Sequence, residues 1–467
     1  MSKEVDSSDD SCGLPASPRP RVPASPRLAV PASRFSAQVA WTFAVRILMT
    51  LNSVVAGIIV ARWLGAEGLG QLAVINVAVA TIVQLASLGL PSANTYFIAQ
   101  DQRHLGPVAI NSLVFALCVG GLLALGLTGL ARARPDWFAF VPTQLLGIAA
   151  VSIPFQLLTL IGLNIFLALG RIERFNLIDL ASQLFVLVNA IVALLVLNAG
   201  LWTLVTFNTA TSVLFGLVLV ALIFAYGAKL NERPLWRPDL SLFSRIIRYG
   251  IKFHISILAG ALIFRADLLV VNHYRGSAEA GVYSVASQVG LMLMLLPGVI
   301  GTLLFPRVAA ESDTRGETTS MVSRHSAFVM FFICLAAIPL SFLLPLLYGA
   351  AFSDVAIQLL ILLPGVYLIG LESVLVQHSN ALGLPRAIPL FWMATLVTNL
   401  VLVFALVPRF GARGAAFAST ISYFLIFALV GLHFLSLTGR SFAETFLLSS
   451  SEIRQLMNLR RGAGALR

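Results

Sequence analysis

Arg265 and Asp267 lie two residues apart inside an otherwise apolar stretch that runs from about residue 246 to residue 274. Charged side chains are costly in hydrocarbon, so such residues usually face a polar cavity or a charged partner. Residues two apart point to nearly opposite sides of a helix, and no charged residue lies four positions before or after either one. Each side chain therefore needs a partner on another helix, in water or on a substrate.

A row of polar residues marks one face of the first apolar segment. Gln38, Thr42, Arg46 and Thr50 recur every four residues, which is the spacing of one helix face. Arg46 follows Arg34 by 12 residues, about 18 Å along a helix, and so lies near the centre of a bilayer. We interpret this face as lining water. The alternative is hydrogen bonding between helices, with Arg46 held in a buried ion pair.

Three further polar groups lie at membrane depth. His254 precedes Arg265 by eleven residues, which places both on one face of a continuous helix. Gln288 lies in the next apolar segment, in which Pro297 predicts a bend of the helix. Glu372 is a lone carboxylate in a later segment. It is either a proton carrier or the salt-bridge partner of one of the two arginines.

These residues together predict a binding site for an anion. Arginine binds phosphate through a planar, bidentate fork and keeps its charge, whereas amides and hydroxyls suit sugar hydroxyls. The set therefore suits a phosphate-bearing, sugar-rich headgroup, and it also suits some organic anions. The predicted substrate-binding residues are Arg46, Arg265, His254, Thr42, Thr50 and Gln288. Asp267 and Glu372 are the predicted coupling or counter-charge residues.

The composition restricts the class of protein. Of 467 residues, 58% are hydrophobic and only 11% are charged, against about 25% charged in soluble domains, which predicts a polytopic membrane protein. The net charge of +11 then indicates basic cytoplasmic loops that lie next to anionic lipid, and not a protein that binds nucleic acid. Three cysteines make neither a disulfide framework nor a metal cluster, and we expect no cofactor. No Walker A motif or hydrolase motif is present, so we expect a transporter and not an enzyme.

Twelve apolar segments are long enough to span a bilayer. They lie near residues 35–61, 70–98, 108–130, 143–169, 174–198, 202–228, 246–274, 281–305, 322–348, 354–380, 387–408 and 414–438. With a cytoplasmic N-terminus, 23 of the 31 lysines and arginines lie on the cytoplasmic side and 6 on the other. This bias predicts an all-α membrane protein with both termini in the cytoplasm.

The chain also repeats itself at an offset of 211 residues. Gly65 and Gly70 recur as Gly276 and Gly281, and a glycine that follows the fifth segment, Gly200, recurs as Gly411. Six segments per half predict a parallel repeat with its axis along the membrane normal, a plan in which the binding site lies between the halves. The predicted regions are a disordered basic tail (1–34), two six-helix bundles (35–228 and 246–438), a cytoplasmic linker (229–245) and a cytoplasmic amphipathic tail (439–467).

Five runs of residues carry a resemblance to a known family. They are 61–71 (ARWLGAEGLGQ), 267–270 (DLLV), 280–286 (AGVYSVA), 347–352 (LYGAAF) and 411–420 (GARGAAFAST). As an ordered set they resemble the Wzx-type oligosaccharide flippases, the polysaccharide-transport branch of the MOP exporter superfamily.

The resemblance implies translocation of a polyprenyl-pyrophosphate-linked oligosaccharide from the inner to the outer leaflet of a bacterial cytoplasmic membrane. It implies a V-shaped pair of bundles, and it leaves proton or sodium coupling open. The expected partners are the lipid-linked oligosaccharide, membrane lipids, and the polymerase and glycosyltransferases of the same pathway, with no nucleic acid; we expect a monomer. The alternative is a cation-coupled multidrug exporter of the same superfamily, although two central arginines would repel cationic drugs. The lipid II flippases of the superfamily fit less well, because they usually carry fourteen helices.

Overall fold

A computed structural model of the chain describes residues 32–448, apart from residues 139, 231–233, 312, 384 and 386, together with residue 452. Residues 1–31 of the predicted N-terminal tail lie outside the described residues, as do residues 449–451 and 453–467 of the predicted amphipathic tail. Every regular element in the described part of the chain is a helix, and no strand occurs there. The predicted all-α class is therefore confirmed.

The N-terminal half contains seven α-helices. They are α1 (Ala32–Ala86), α2 (Leu90–Gln100), α3 (Leu105–Ala133), α4 (Thr143–Ala150), α5 (Ile153–Ala168), α6 (Ile172–Ala190) and α7 (Leu201–Gly227).

The C-terminal half continues with nine. They are α8 (Leu240–Ile263), α9 (Ala266–Arg275), α10 (Ser277–Leu293), α11 (Leu295–Glu311), α12 (Glu317–Ser341), α13 (Leu344–Tyr348), α14 (Val355–Ala381), α15 (Ala387–Thr438) and α16 (Phe442–Phe446).

Two of these helices are long enough to cross a bilayer twice. Helix α1 has 55 residues and α15 has 52, whereas one crossing needs about 20. Each is broken once, α1 at Gly65 (φ 68°, ψ −172°) and α15 at Gly411 (φ 60°, ψ −142°). Only glycine adopts this conformation without steric cost, so each glycine makes a sharp turn between two helical arms. Gly276, which repeats Gly65 in the sequence, has nearly the same conformation (φ 89°, ψ 169°).

Several predicted segments are interrupted where the sequence suggested one continuous helix. The segment predicted over residues 246–274 is divided into two helices: α8 ends at Ile263, and α9 begins at Ala266. The bend predicted near Pro297 is found as the junction between α10 and α11, since proline cannot donate a backbone hydrogen bond. Helix α1 ends before Leu88 and Gly89, which both have positive φ.

Helix α8 begins at Leu240, inside the region predicted as a linker, because Asp239 caps it. The Asp239 carboxylate accepts hydrogen bonds from the Leu242 backbone N–H at 2.9 Å and from the Ser241 hydroxyl at 2.7 Å. These bonds hold the pKa of Asp239 below its usual value, and the bond from the Leu242 N–H has the larger effect. The Asn111 side chain donates to the Asp239 carbonyl oxygen at 2.8 Å, so the start of α8 is also fixed to α3.

The helices are apolar on the outside as well as in the core. Ten helical stretches within the described residues are long and apolar enough to cross a membrane, the two glycine-broken helices each counted once. Large aliphatic side chains on their outer faces are exposed, among them Leu122 at 69% and Leu125 at 74%. A soluble protein would bury such residues, whereas a lipid-facing surface exposes them. The protein is therefore a multi-pass membrane protein.

Candidate functional site

Arg46 has an acidic partner that the sequence analysis did not identify. One guanidinium nitrogen lies 3.1 Å from a carboxylate oxygen of Asp179 on α6, and the guanidinium carbon is 6.0 Å from the centre of the Phe175 ring. The Arg46 side chain remains 39% exposed and that of Asp179 is 16% exposed. The pair is thus accessible from one side, and a guanidinium keeps unused donors while one of them binds a carboxylate.

The polar row around Arg46 is used largely within the protein. The Asn176 side chain donates to the Thr42 hydroxyl at 2.8 Å, and the Thr50 hydroxyl donates to the Arg46 carbonyl oxygen of its own helix at 2.8 Å. Asn52 donates to the Gln183 carbonyl oxygen at 2.7 Å, which also ties α1 to α6. The row therefore contributes to helix packing, and contact of these two threonines with a substrate stays a prediction.

Arg265 lies at the break between α8 and α9. Its backbone (φ −136°, ψ −28°) is not helical, and α8 ends two residues before it. The side chain is half-buried, and no ion pair or side-chain hydrogen bond joins it to any other residue that the structure describes. A guanidinium in this position has all its donors available for an anion.

The break corrects two spacing arguments. Arg265 and Asp267 do not lie on opposite sides of one helix, because the helix is interrupted between α8 and α9. For the same reason the helical spacing that predicted one shared face for His254 and Arg265 does not apply across the break. His254 is buried on α8, next to the backbone of Leu85 in the N-terminal half.

Asp267 is bound by hydroxyl groups. The Tyr283 hydroxyl of α10 and the Ser419 hydroxyl of α15 both donate to one carboxylate oxygen, the latter at 3.0 Å. The Leu268 backbone N–H donates to the other oxygen at 2.8 Å. All three side chains are buried, and no ion pair of Asp267 occurs among the described residues. A carboxyl surrounded by hydroxyls can exchange a proton or hold a monovalent cation, and it joins three helices.

Two substitutions of Asp267 separate its role in joining helices from its role in binding a proton or a cation. We expect Asp267→Ala to lower the free energy of unfolding by about 1–3 kcal/mol, because two buried hydroxyls lose their acceptor. Asp267→Asn keeps an acceptor oxygen, so it should unfold near the wild-type temperature while losing any ion-dependent part of transport. Thermal unfolding in detergent and transport with and without an ion gradient measure the two effects. Equal destabilisation by both substitutions would contradict this assignment.

Glu372 and Gln288 occupy different surroundings. Glu372 is 2% exposed, and its Oε1 atom has no hydrogen-bond partner in the described structure. It does not pair with Arg46, whose ion-pair partner is Asp179, nor is an ion pair with Arg265 found among the described residues. The salt-bridge alternative for Glu372 is therefore wrong, and its role in coupling stays a prediction. Gln288 is partly buried on α10 and lies beside Gly57 of α1, where the two halves meet.

The largest contact between the two halves is made by α1 and α10. A Cβ atom on Gly70 would lie 1.7 Å from the Ser277 carbonyl oxygen, and one on Gly281 would lie 2.0 Å from the Ala66 carbonyl oxygen. Ala66 and Gly70 are 211 residues before Ser277 and Gly281, so the contact pairs equivalent residues of the predicted repeat. Such close backbone approach is the usual role of glycine between membrane helices.

Neighbouring contacts close the same end of the molecule, which we call the Gly65 end. The Arg62 guanidinium donates to the Leu347 carbonyl oxygen at 2.7 Å, and the Gln71 side chain donates to the Phe140 carbonyl oxygen at 2.9 Å. At the opposite end, α8 packs on α2, where the rings of Tyr96 and Tyr249 stack at 4.5 Å. Between these ends lie the Arg46–Asp179 pair and the helix break at Arg265.

A multi-pass helical fold, glycine-broken helices and arginines within the membrane-spanning part define a membrane transporter. Residues 35–312 match the model of a family described as "Polysaccharide biosynthesis protein". The chain belongs to this family, and the resemblance to Wzx-type flippases is confirmed.

The relatives of the chain carry the names of transporters. The "Putative O-antigen transporter" of Shigella flexneri is 28% identical over 189 residues, which are 39% of this chain and 45% of the relative. The "Probable flippase AglR" of Haloferax volcanii is 24% identical over 324 residues, 66% of this chain and 64% of the relative. The chain thus matches between 45% and 64% of the length of these two relatives.

Solved structures share the fold. The lipid II flippase MurJ in an inward closed conformation has a TM-score of 0.68 at 15% identity, covering 87% of this chain and 90% of MurJ. An inward-facing multidrug transporter of the MATE family has a TM-score of 0.67 at 16% identity, covering 84% of this chain and 96% of the transporter. At these identities the likeness shows the MOP fold and not the substrate.

Proposed function

We propose that the protein moves a polyprenyl-pyrophosphate-linked oligosaccharide from the inner to the outer leaflet of a bacterial cytoplasmic membrane, for the synthesis of a surface polysaccharide. The observation that carries the proposal is the half-buried Arg265 at a helix break, without an ion-pair partner in the described structure. An unpaired polar group in hydrocarbon costs several kcal/mol, so a pyrophosphate-sugar head needs a wet cationic route. Broken membrane helices are a common place for such a site.

The proposed topology has twelve crossings with both termini in the cytoplasm. Counting each arm of α1 and of α15 as a crossing raises the ten candidate stretches to twelve. The Gly65 end then faces outward, and its close contact at Gly70 and Gly281 represents a state closed to the outside. The two halves form parallel six-helix bundles that alternate their opening. Equivalent residues meet at the α1–α10 contact, as expected for a two-fold axis along the membrane normal.

Within this mechanism the predicted site residues divide into those that bind the headgroup and those that couple transport to an ion. Arg46 and Arg265 hold the pyrophosphate, and Asp179 keeps Arg46 in place until the headgroup arrives. His254 and Gln288 contact the headgroup as it passes between the halves. Asp267 and Glu372 change their charge or ion occupancy during the cycle and supply proton or sodium coupling. A monomer suffices, and the pathway's glycosyltransferases and polymerase supply and consume the substrate.

Substitution at Arg46 tests the proposal. We expect Arg46→Ala to reduce export about tenfold to hundredfold, because one charge-assisted contact to a phosphate is lost. The readout is accumulation of the lipid-linked oligosaccharide in the inner leaflet of cells that depend on this protein. Arg132→Ala, which removes an exposed arginine at the end of α3, should export normally.

The double variant Arg46→Ala/Asp179→Ala distinguishes binding from structure. It leaves no unpaired charge, so a purely structural ion pair would be tolerated and export would recover. If Arg46 binds the headgroup, the double variant remains as defective as Arg46→Ala. Recovery of export would therefore contradict the binding role of Arg46.

A further inference from the structure

Two arginines share one aromatic ring at the end of the N-terminal half opposite Gly65. The guanidinium carbons of Arg171 and Arg174 each lie 5.6 Å from the centre of the Tyr226 ring. Both arginines are exposed, and neither forms an ion pair with another described residue. Each cation is attracted to the ring, so two like charges lie 5.6 Å from the same ring centre.

The surroundings of this ring are basic. Lys229 is exposed and follows Tyr226 by three residues, so it lies within one turn of the end of α7. Glu173 lies between the two arginines in sequence and is exposed, and it forms no ion pair with the other described residues. Like charges this close repel, and an anion with two or more charges would relieve the repulsion.

The same helix leads from these arginines to Arg46. Phe175, one residue after Arg174, is the ring that the Arg46 guanidinium contacts, and Asp179, which binds Arg46, lies on the same helix. Asp179 follows Arg171 by eight residues, which is about 12 Å along a helix. A phosphate-bearing headgroup can thus move from the bundle end to Arg46 along one side of α6.

We propose that Arg171, Arg174 and Tyr226 form a binding site for the diphosphate headgroup of an inner-leaflet lipid, from which the headgroup moves to Arg46. We call it the Tyr226 site. It rests on the proposed function and adds the surface that first binds the substrate. A diphosphate fits because it offers two anionic groups to two forks held on one ring, and a guanidinium recognises phosphate in a bidentate manner.

Binding of farnesyl diphosphate to the full-length protein in detergent tests this site. The measurement uses an Arg46→Ala/Arg265→Ala background, in which the two arginines of the proposed transport route are absent. We expect farnesyl diphosphate to bind there, and Arg171→Gln/Arg174→Gln to weaken that binding about tenfold to hundredfold. Farnesol, which lacks the diphosphate, should bind equally weakly to both proteins.

The matched control is Arg245→Gln/Arg248→Gln. These arginines are also exposed and three residues apart, and Arg245 also lies over an aromatic ring, 5.4 Å from the centre of Phe97. The control should bind the probe as its parent does. An equal loss in the control would show diffuse attraction to positive charge and would overturn the Tyr226 site, as would unchanged binding in Arg171→Gln/Arg174→Gln.

Translocation measured in reconstituted vesicles separates this proposal from the proposed function. With arginine at positions 46 and 265, the Arg171→Gln/Arg174→Gln protein should move a diphosphate-linked oligosaccharide at least about tenfold more slowly at low substrate concentration. If it moves the substrate at the wild-type rate, the Tyr226 site is wrong and the proposed function stands. If the wild-type protein moves no such lipid, the proposed function fails, whatever the probe shows.

Discussion

Replacing Arg265 with alanine is expected to abolish export while the protein remains folded in the membrane. The substitution removes a half-buried guanidinium that has no ion pair within the described structure, so no internal partner is left with an uncompensated charge. The phosphate loses a bidentate, charge-assisted contact, which corresponds to about tenfold to hundredfold weaker binding. Because Arg265 has no ion-pair partner among the described residues, whereas Arg46 is held by Asp179, we expect a larger effect on export at Arg265 than at Arg46.

The measurement combines export with thermal unfolding of the purified variant. Arg265→Lys retains the charge but not the planar fork, so it should recover only part of the activity. Arg413→Ala is the control, since Arg413 is exposed and pairs with Asp354 at 3.3 Å, away from the helix break. Normal export by Arg265→Ala, or a loss of export accompanied by an equal loss of folded protein, would contradict the assigned role.

Adding one methyl group to Gly70 or Gly281 is expected to block the transport cycle. A Cβ atom at either position would overlap a backbone carbonyl oxygen of the other half, at 1.7 Å or 2.0 Å. Backbone atoms cannot move aside as a flexible side chain does, so α1 and α10 must separate. We expect Gly70→Ala and Gly281→Ala to hold the Gly65 end open and to reduce export more than about tenfold, because the closed state would cost more than 1.4 kcal/mol.

Spin labels placed on either side of this contact report the opening. Trp63 and Tyr274 are exposed at the Gly65 end, one in each half. Cysteine substitutions there, in a chain without its three native cysteines, allow the distance to be measured. We expect longer distances in Gly70→Ala and Gly281→Ala than in the parent. Gly126→Ala is the matched control, because nothing lies within 4 Å of the added atom. Unchanged distances in the Gly70 and Gly281 variants would contradict closure at this contact.

Much of the fold could be predicted from hydropathy and loop charge, but helix breaks could not be placed. An apolar run indicates that a segment spans the bilayer, whatever its local geometry. The junction of α10 and α11 was foreseen because Pro297 is a chemical signal for a bend. The break before Arg265 has no proline or glycine within the gap, and it arises where Asp267 is bound by groups on α10 and α15.

The candidate site was predicted in part, and its omissions have different causes. Arg46, Arg265 and Asp267 were identified because a charge inside an apolar segment is visible in the sequence. Asp179 is also a charge inside an apolar segment, at 174–198, but the sequence does not show that it pairs with Arg46. Ser419, in contrast, is one hydroxyl among many, and it binds a carboxylate 152 residues away in sequence. Contacts of that range depend on how helices pack, which periodicity within one helix does not determine.

The polar row on the first segment shows the same limit. Its four-residue spacing indicated one polar face of α1, but spacing cannot tell water from a neighbouring helix. The structure places Asn176 and Asp179 of α6 against that face, so it serves packing at Thr42 and leaves Arg46 partly exposed. The outcome lies between the two interpretations offered by the sequence.

The central claim is that Arg46 and Arg265 carry an anionic lipid headgroup across the membrane. The most direct measurement is translocation in vesicles that contain the purified protein and a fluorescent, diphosphate-linked oligosaccharide confined at first to one leaflet. We predict that the wild-type protein moves this lipid to the other leaflet, that Arg46→Ala/Arg265→Ala does not, and that a glycolipid without phosphate stays in place. Movement of the phosphate-free glycolipid at the same rate, or full activity of the double variant, would contradict the claim.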